Sequence, residues 1–506
     1  MASTTATAQS AFDEAAADQR IRENQTGPLA VEVVDQSGNP VSDADVTVEM
    51  QEHDFVWGAE VAADLLVNQY GDGHPYRENF LDLFNTAVLE NIHKWAIWEG
   101  NQSLADEAVD WLDQRGYRIR GHTCIYPVDY AIPGDVQTAI DNGNGQLIRD
   151  RTMQQIEDII THYGDRIQEW DVVNEVLHRG LLHSGVYPDQ IDLDDLPAGE
   201  IQPWRSQLLA DWYAKAESVI DQNGLDVDVV TNDYNTLTWS YARSRYADQI
   251  GFLQNQGIGV DGIGLQAHIG AEMDGSDPWT FDNINRVFDH YAQFNTNIRI
   301  TEYDMTGDSW TGQQQRADVM HRYLKTAYGH PNVDEFTVWG FWDNAHWRDE
   351  APFFEEDWTE KPALDVYRSL VFDEWWTSES GTTDGSGSYV VDAFLGEHEV
   401  TVSTGEGSVT RTVSVTDANA GQQITVSVEG DGGPPAVGNN ASAPTDPDGD
   451  GRYEDVNGNG RTDSSDVVDL FEHLETPAVQ NDVDAYDFSG DGEVTITDVV
   501  TLFEDL

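Results

Sequence analysis

Lysine is almost absent from this chain of 506 residues: only Lys94, Lys215, Lys325 and Lys361 remain, and Lys and Arg together number 26 against 93 Asp and Glu. The formal net charge of -67 at pH 7 excludes functions that need a cationic face, because nucleic acid and anionic membrane surfaces are repelled. Self-repulsion on this scale opposes a compact state unless it is screened, and in about 1 M salt the Debye length falls to ~3 Å. The chain therefore reads as adapted to high salt. Cysteine is reduced to Cys124, which excludes an internal disulfide; its apolar setting beside Ile125 makes it a buried structural thiol. No run is apolar enough to span a bilayer, and the start MASTTATAQSAF lacks the basic and apolar regions of a secretory signal.

What is present suffices for one large core and smaller modules: 39% of residues are hydrophobic and 16 are Trp. Residues 29–50, LAVEVVDQSGNPVSDADVTVEM, alternate apolar and polar positions around a GNP turn, and a second all-β stretch follows at 383–428. Between them short β-branched runs alternate with longer amphipathic segments, as a parallel α/β fold requires. The runs FVWGAEV, NTAVLEN, YRIRGHT, IQEWDVVNE, VDVVTND, DGIGLQ, NIRITE and EFTVWG match the strands of a (β/α)8 TIM barrel. EGDGGPPAVGNNASAPTD has the composition of a flexible linker. The division expected is an N-terminal segment at 1–27, a β-sandwich from 28–50 plus 376–430, a catalytic barrel at 51–375, a linker at 431–445 and a small α-helical calcium-binding module at 446–506. Two separate β pieces flanking the barrel would read almost the same as one sandwich.

Active sites of such barrels are built just past the C-terminal ends of the strands. Polar residues that end the apolar runs are Glu90, Asn91, His122, Asn174, Glu175, Asn232, Asp233, Gln266, His268 and Glu302, with Trp339 after the last run. Glu175 and Glu302 both end strands and would face one pocket. Glycoside hydrolysis needs such a pair, one carboxyl holding a proton for the leaving oxygen and the other ionised to attack the anomeric carbon.

On the motifs ENIHKW (90–95), RGHT (120–123), WDVVNE (170–175), NDYN (232–235), DGIGLQAH (261–268), ITEYD (300–304) and TVWGFWDNAHWR (337–348), the barrel resembles the glycoside hydrolase family 10 endo-β-1,4-xylanases. The resemblance implies retaining cleavage of internal xylan bonds, with Glu175 as acid/base and Glu302 as nucleophile and with no catalytic cofactor. It implies support from Asn174, Gln266, His268 and Asp304, and substrate binding by Glu90, Asn91, Lys94, His122, Tyr126, Trp339 and Trp347. GHTCIYP departs from the family pattern, keeping an aromatic at Tyr126 and placing Pro127 where a histidine is usual. The two outer β stretches resemble halves of a carboxypeptidase-regulatory-like sandwich.

Residues 455–466, DVNGNGRTDSSD, and 487–498, DFSGDGEVTITD, each place oxygen side chains at positions 1, 3, 5 and 12 with Gly at 6, ahead of an apolar helix pattern. That spacing wraps hard oxygen ligands around Ca2+. The candidate ligands are Asp455, Asn457, Asn459, Asp463 and Asp466, then Asp487, Ser489, Asp491 and Asp498; Asp446, Asp448 and Asp450 form a further candidate. The duplicated loop and helix resembles a dockerin, which implies a cohesin-like or cell-surface partner and an extracellular or surface location. A noncatalytic polysaccharide-binding scaffold and a cellulase or mixed-linkage glucanase remain as other readings.

Overall fold

The computed structural model describes residues 12–505 except 37, 406, 429–433, 435, 439–441, 443, 448–450, 475, 481 and 491. In chain order the strands are β1 (Thr26–Val34), β2 (Asp45–His53), β3 (Val56–Val61), β4 (Thr86–Leu89), β5 (Arg118–Ile125), β6 (Glu169–Asn174), β7 (Asp228–Asp233) and β8 (Gly262–Leu265). They continue as β9 (His268–Ile269), β10 (Asn297–Met305), β11 (Val333–Val338), β12 (Ser378–Thr382), β13 (Ser388–Phe394), β14 (Gly396–Ser403), β15 (Ser408–Val415) and β16 (Gln422–Ser427).

Strands β3 to β8, β10 and β11 pair in parallel in that order, and β11 returns to β3 to close the barrel; the short β9 extends one edge beside β10. Each run named in the sequence is one of these strands. Their residues are buried almost throughout, because a strand between barrel interior and outer helices has no solvent face. The helices obey the other period. In Gln207–Asn223 the buried positions Leu208, Leu209, Trp212, Tyr213, Ala216, Val219 and Ile220 recur three or four apart. Ser206 caps its first turn, accepting from Leu209 N at 3.0 Å, and Gly224 ends it in the left-handed region. Gly121 is required by close approach, since a Cβ there would lie 2.2 Å from the Trp170 ring.

Inside the barrel Arg120 bonds Glu169 at 2.6 Å and also Asp171, and Arg299 bonds Glu169. These buried charges are tolerable because each is paired. Asp171 also bonds His122 Nδ1 at 2.8 Å, which links this ionic layer to the strand ends above it. The sequence did not reveal a helix at Glu14–Gln25, which packs with the barrel: Gln25 donates to Tyr328 O at 2.7 Å and Asn24 to Gly329 O at 3.0 Å.

The second unit contains residues 26–54 and 377–506. Strands β13, β1 and β16 form one sheet and β12, β2, β14 and β15 another, and both contribute to a single core that includes Leu29, Val31, Val46, Val48, Val400, Val402 and Val426. The GNP turn folds back only as far as the single antiparallel bridge of Val34 with Pro40, after which the chain passes to the other sheet, β1 pairing with β13 and β16 and β2 with β12 and β14. Near the C-terminus the helices Ser464–His473 and Ile496–Asp505 share a core that includes Val456, Leu470, Tyr486, Phe488 and Leu502. No helix among the described residues is long and apolar enough to cross a membrane.

Candidate active site

At the C-terminal ends of the barrel strands lies a cleft of about 610 Å³. It is lined by Glu90, Asn91, Lys94, His122, Tyr126, Asn174, Glu175, Gln266, His268, Glu302, Trp339 and Trp347. Asp304 stands behind it, bonded to His268 Nδ1 at 2.8 Å.

Glu302 is buried at the cleft floor. Asn232 Nδ2 donates to its Oε1 at 2.7 Å, and His268 Nε2 lies 3.1 Å from Oε2. Burial alone would raise its pKa. The His268 bond, the charges of His122 and His268 and the Asn232 bond outweigh that and hold Glu302 below a carboxylate's ordinary value. For His268 burial works against the cation, but Asp304 and Glu302 push it up to about 10. Asp304, buried yet facing that imidazolium, is itself held well below the usual range, helped by Trp347 Nε1 at 2.7 Å.

Glu175 belongs to a different set of donors. Tyr126 donates to its Oε2 at 2.7 Å, Arg179 Nε to the same oxygen at 3.2 Å, and Gln266 Nε2 to Oε1 at 3.3 Å. Its φ of 59° places it in the left-handed region at the turn out of β6. Asn174 Oδ1 accepts from Asn232 at 3.2 Å and from Gln266 at 3.1 Å, leaving its own NH2 group for the cleft. An unbroken hydrogen-bonded path thus joins the carboxylates through Gln266, Asn174 and Asn232. Chemically the cleft offers one carboxylate kept ionised and a second one that can exchange a proton with a ligand.

Lys94 donates to Asn91 Oδ1 at 2.6 Å and sits 5.6 Å above the Tyr126 ring. Trp339 is buried edge-on to His122, whereas Trp347 is exposed, with the Arg348 guanidinium 4.1 Å over its ring. Some residues of this region have no site role assigned from the sequence, Tyr234 and Asn235 entering it only as part of the motif NDYN. Arg179, Tyr130, Tyr234 and Asn235 line the cleft, and Glu60 is buried beneath it. Burial first, then Glu90, raise Glu60 well above its ordinary pKa. Glu60 is the next-to-last residue of FVWGAEV, inside β3 and one place before its end, so a polar residue interrupting an apolar run is the signal that marks it.

A family model described as "Glycosyl hydrolase family 10" matches residues 48–370, well over half of the chain. The chain belongs to glycosyl hydrolase family 10. A second model, "Dockerin type I domain", matches residues 453–506 of this family 10 protein. The protein is 26% identical over 421 residues to Anti-sigma-I factor RsgI6 of Acetivibrio thermocellus, an alignment covering 81% of this chain and 49% of that protein. It is 25% identical over 368 residues to Endo-1,4-beta-xylanase 1 of Arabidopsis thaliana, covering 71% and 35%. It is 24% identical over 311 residues to Endo-1,4-beta-xylanase B of Paenibacillus barcinonensis, covering 59% and 87%. The alignments therefore take in half or less of the first two relatives. The family 10 fold superposes on xylanase 10B from Thermotoga petrophila, solved in complex with xylobiose, with a TM-score of 0.52 at 19% identity over 63% of this chain and 95% of that one. A GH10 endoxylanase from a sugarcane soil metagenome gives 0.50 at 20% identity over 63% and 97%.

In the dockerin-type region the two candidate cation loops make equivalent bonds. Asp455 accepts from Asn459 N at 3.0 Å and Gly460 N at 2.8 Å; Asp487 accepts from Gly490 N at 2.8 Å and Gly492 N at 2.9 Å. Asp466 accepts from Asn457 N at 3.1 Å and Asp463 N at 2.8 Å, and Asp498 accepts from Ser489 N at 2.9 Å and Thr495 N at 2.7 Å. Asp455, Asp466 and Asp498 are buried, so hard oxygen donors point inward, which fits a Ca2+ ligand set. Asp463 instead caps its helix, bonding Ser465 N at 2.9 Å. Asp491, Asp448 and Asp450 lie outside the described residues. Among the described residues no group of three or more His, Cys, Asp or Glu side chains is gathered as a metal site.

Proposed function

We propose that this family 10 protein is a retaining endo-β-1,4-xylanase that hydrolyses internal bonds of xylan by double displacement. The observation that carries the reading is the unequal treatment of the two carboxylates. Glu302 is gripped by His268 and Asn232 and stays ionised, as a nucleophile toward the anomeric carbon must. Glu175 holds separate donors on the same cleft and serves as acid for the leaving oxygen, then as base for water. The free amide of Asn174 is suited to the 2-hydroxyl of the sugar under attack, a contact that tightens as positive charge develops. Glu90, Asn91, Lys94 and His122 hold sugars on the non-reducing side, with Tyr126, Trp339 and Trp347 against them; no cofactor enters the chemistry.

In this reading the chain keeps the barrel, sandwich, linker and tail expected from its sequence, with the N-terminal segment joined to the barrel through its helix, and the tail is a docking module. Ca2+ bound through Asp455, Asn457, Asn459 and Asp466 and through Asp487, Ser489, Asp491 and Asp498 would hold its loops. Val468 and Phe471 on one helix and Val500 and Phe503 on the other are exposed, an apolar face suited to a cohesin-like partner. An enzyme of this kind works outside the cell or on its surface, and the acidic composition suits a saline medium.

The deciding experiment is reducing-sugar release from xylan and from carboxymethylcellulose in multimolar salt with calcium. Xylan cleavage by the wild type, lost in Glu302→Ala and in Glu175→Ala, is the expected result. Cleavage of cellulose alone would keep the mechanism and overturn the substrate. Tight xylan binding without turnover would make the protein a scaffold.

A further inference from the structure

Among the described residues of the barrel unit four aromatic side chains are strongly exposed: Tyr130 at 56%, Trp239 at 42%, Tyr241 at 44% and Trp347 at 49%. All four follow the C-terminal ends of barrel strands, the end that carries the cleft: Tyr130, Trp239 and Trp347 on the connecting segments and Tyr241 in the first turn of the helix Ser240–Asn255. Tyr130 and Trp347 line the cleft itself. Trp239 and Tyr241 do not, but the segment that leads to them from the strand begins with Tyr234 and Asn235, which do.

Contacts run without a gap from Glu175 to this pair. Arg179, bonded to Glu175, lies 5.8 Å from the Tyr234 ring centre. Asn235 Nδ2 donates to Tyr241 OH at 3.2 Å, and the Tyr241 and Trp239 rings are 6.4 Å apart and tilted by 41°. The rings are exposed on a backbone that is fixed. Asp274 accepts from Ser240 N at 2.8 Å and its own N–H donates to Thr238 O at 2.8 Å, while Arg243 bonds both Leu237 O and Asp274. Tyr291 OH donates to Thr236 O at 2.9 Å. An exposed aromatic pair where a loop enters its helix, tied down at residues 236, 237, 238 and 240, is preorganised for a flat, amphipathic ligand.

We propose that Trp239 and Tyr241 form a distal binding platform for the reducing-end stretch of a β-1,4-linked polysaccharide, continuing the cleft past the point of cleavage. The side follows from the contacts, which start at Glu175 and not at Glu302; under the xylanase reading, on which this inference rests, Glu175 faces the departing chain. A polymer longer than the cleft must continue over the protein surface, and on this side it meets two ring faces that can cover the apolar faces of its sugars.

The test compares kcat/KM on xylohexaose with that on a nitrophenyl β-xylobioside, whose leaving group is too short to reach the platform. Trp239→Ala and Tyr241→Ala should each lower the ratio of long to short substrate by about tenfold, the size of one stacking contact, and Trp239→Phe should restore most of it. Because both rings are exposed, neither truncation opens a core cavity, and melting curves verify folding. An unchanged ratio in the double variant overturns the platform while leaving the enzyme intact. A wild type that hydrolyses neither substrate removes the activity itself, and the platform with it.

Discussion

His268 carries the most testable electrostatics in the molecule. Its pKa, pushed up to about 10 by Asp304 and Glu302, makes it a cation at neutral pH, and that cation helps keep Glu302 ionised. Replacing it in His268→Gln should reduce kcat/KM at neutral pH by roughly 10–100-fold, the worth of a hydrogen bond to a charged group. The acid limb of the pH profile should move to higher pH, because Glu302 then takes up its proton more easily. Stability has the opposite window. A group whose pKa is raised above about 6.5 on folding stabilises fully below that value and loses its contribution as pH rises through about 10. The difference in melting temperature between wild type and His268→Gln should therefore shrink between those limits, and a constant difference would show that the coupling is absent.

At this scale the sequence was informative about identity and silent about reach. The position of Glu175 just past β6 follows from where its apolar run stops, a local property, whereas β10 continues beyond Glu302 to Met305 because its later residues pair with β9 and β11. That the Tyr126 hydroxyl reaches Glu175 from 49 positions away follows from barrel curvature and a rotamer, which no run of residues encodes. Arg179 sits four residues after Glu175, yet the spacing carries no signal because the segment is a turn and not a helix.

Elements were legible in proportion to their repetition. The eight apolar runs, the alternation in β1 and β2 and the duplicated loops are patterns that several residues state together. The helix Glu14–Gln25 went unnoticed because it has only Ala17, Ile21 and Gln25 buried, too thin a stripe to announce itself. The partition of β1 and β2 into different sheets depends on partners more than 300 residues later. The loops of the C-terminal module support a prediction of their own. Their buried aspartates are held by backbone N–H groups, but two or three carboxylates in one loop repel unless a cation sits among them. Chelation with EGTA, or Asp455→Ala together with Asp498→Ala, should abolish a calorimetric transition belonging to this module and leave xylan hydrolysis by the barrel intact. Retention of that transition would remove the structural role of Ca2+.

For the whole molecule the governing quantity is charge. Three of the four lysines are buried: Lys94 in the cleft, Lys325 against Asp18 and Glu374, and Lys361 bonded to Asp343 at 2.6 Å. They remain where a specific partner needs an ammonium, and only Lys215, paired with Glu157 at 2.6 Å, is on the surface. With a formal charge of -67, the melting temperature should climb steeply from low to multimolar KCl as repulsion is screened. A flat dependence would mean that the acidic surface has some other purpose.

The placement of β16 has a mechanical consequence. It runs parallel to β1, in register from Leu29 with Gln422 to Val34 with Ser427. The C-terminal end of β16 leads toward the tail, and the N-terminal end of β1 leads to the helix that packs with the barrel. The chain also joins the barrel unit at 54–55 and 376–377, so if the tail is anchored while the barrel grips an immobile polymer, the share of the tension that travels through the N-terminal helix pulls the two strands from opposite ends. The load then falls on their hydrogen bonds together, in shear, instead of peeling them one at a time.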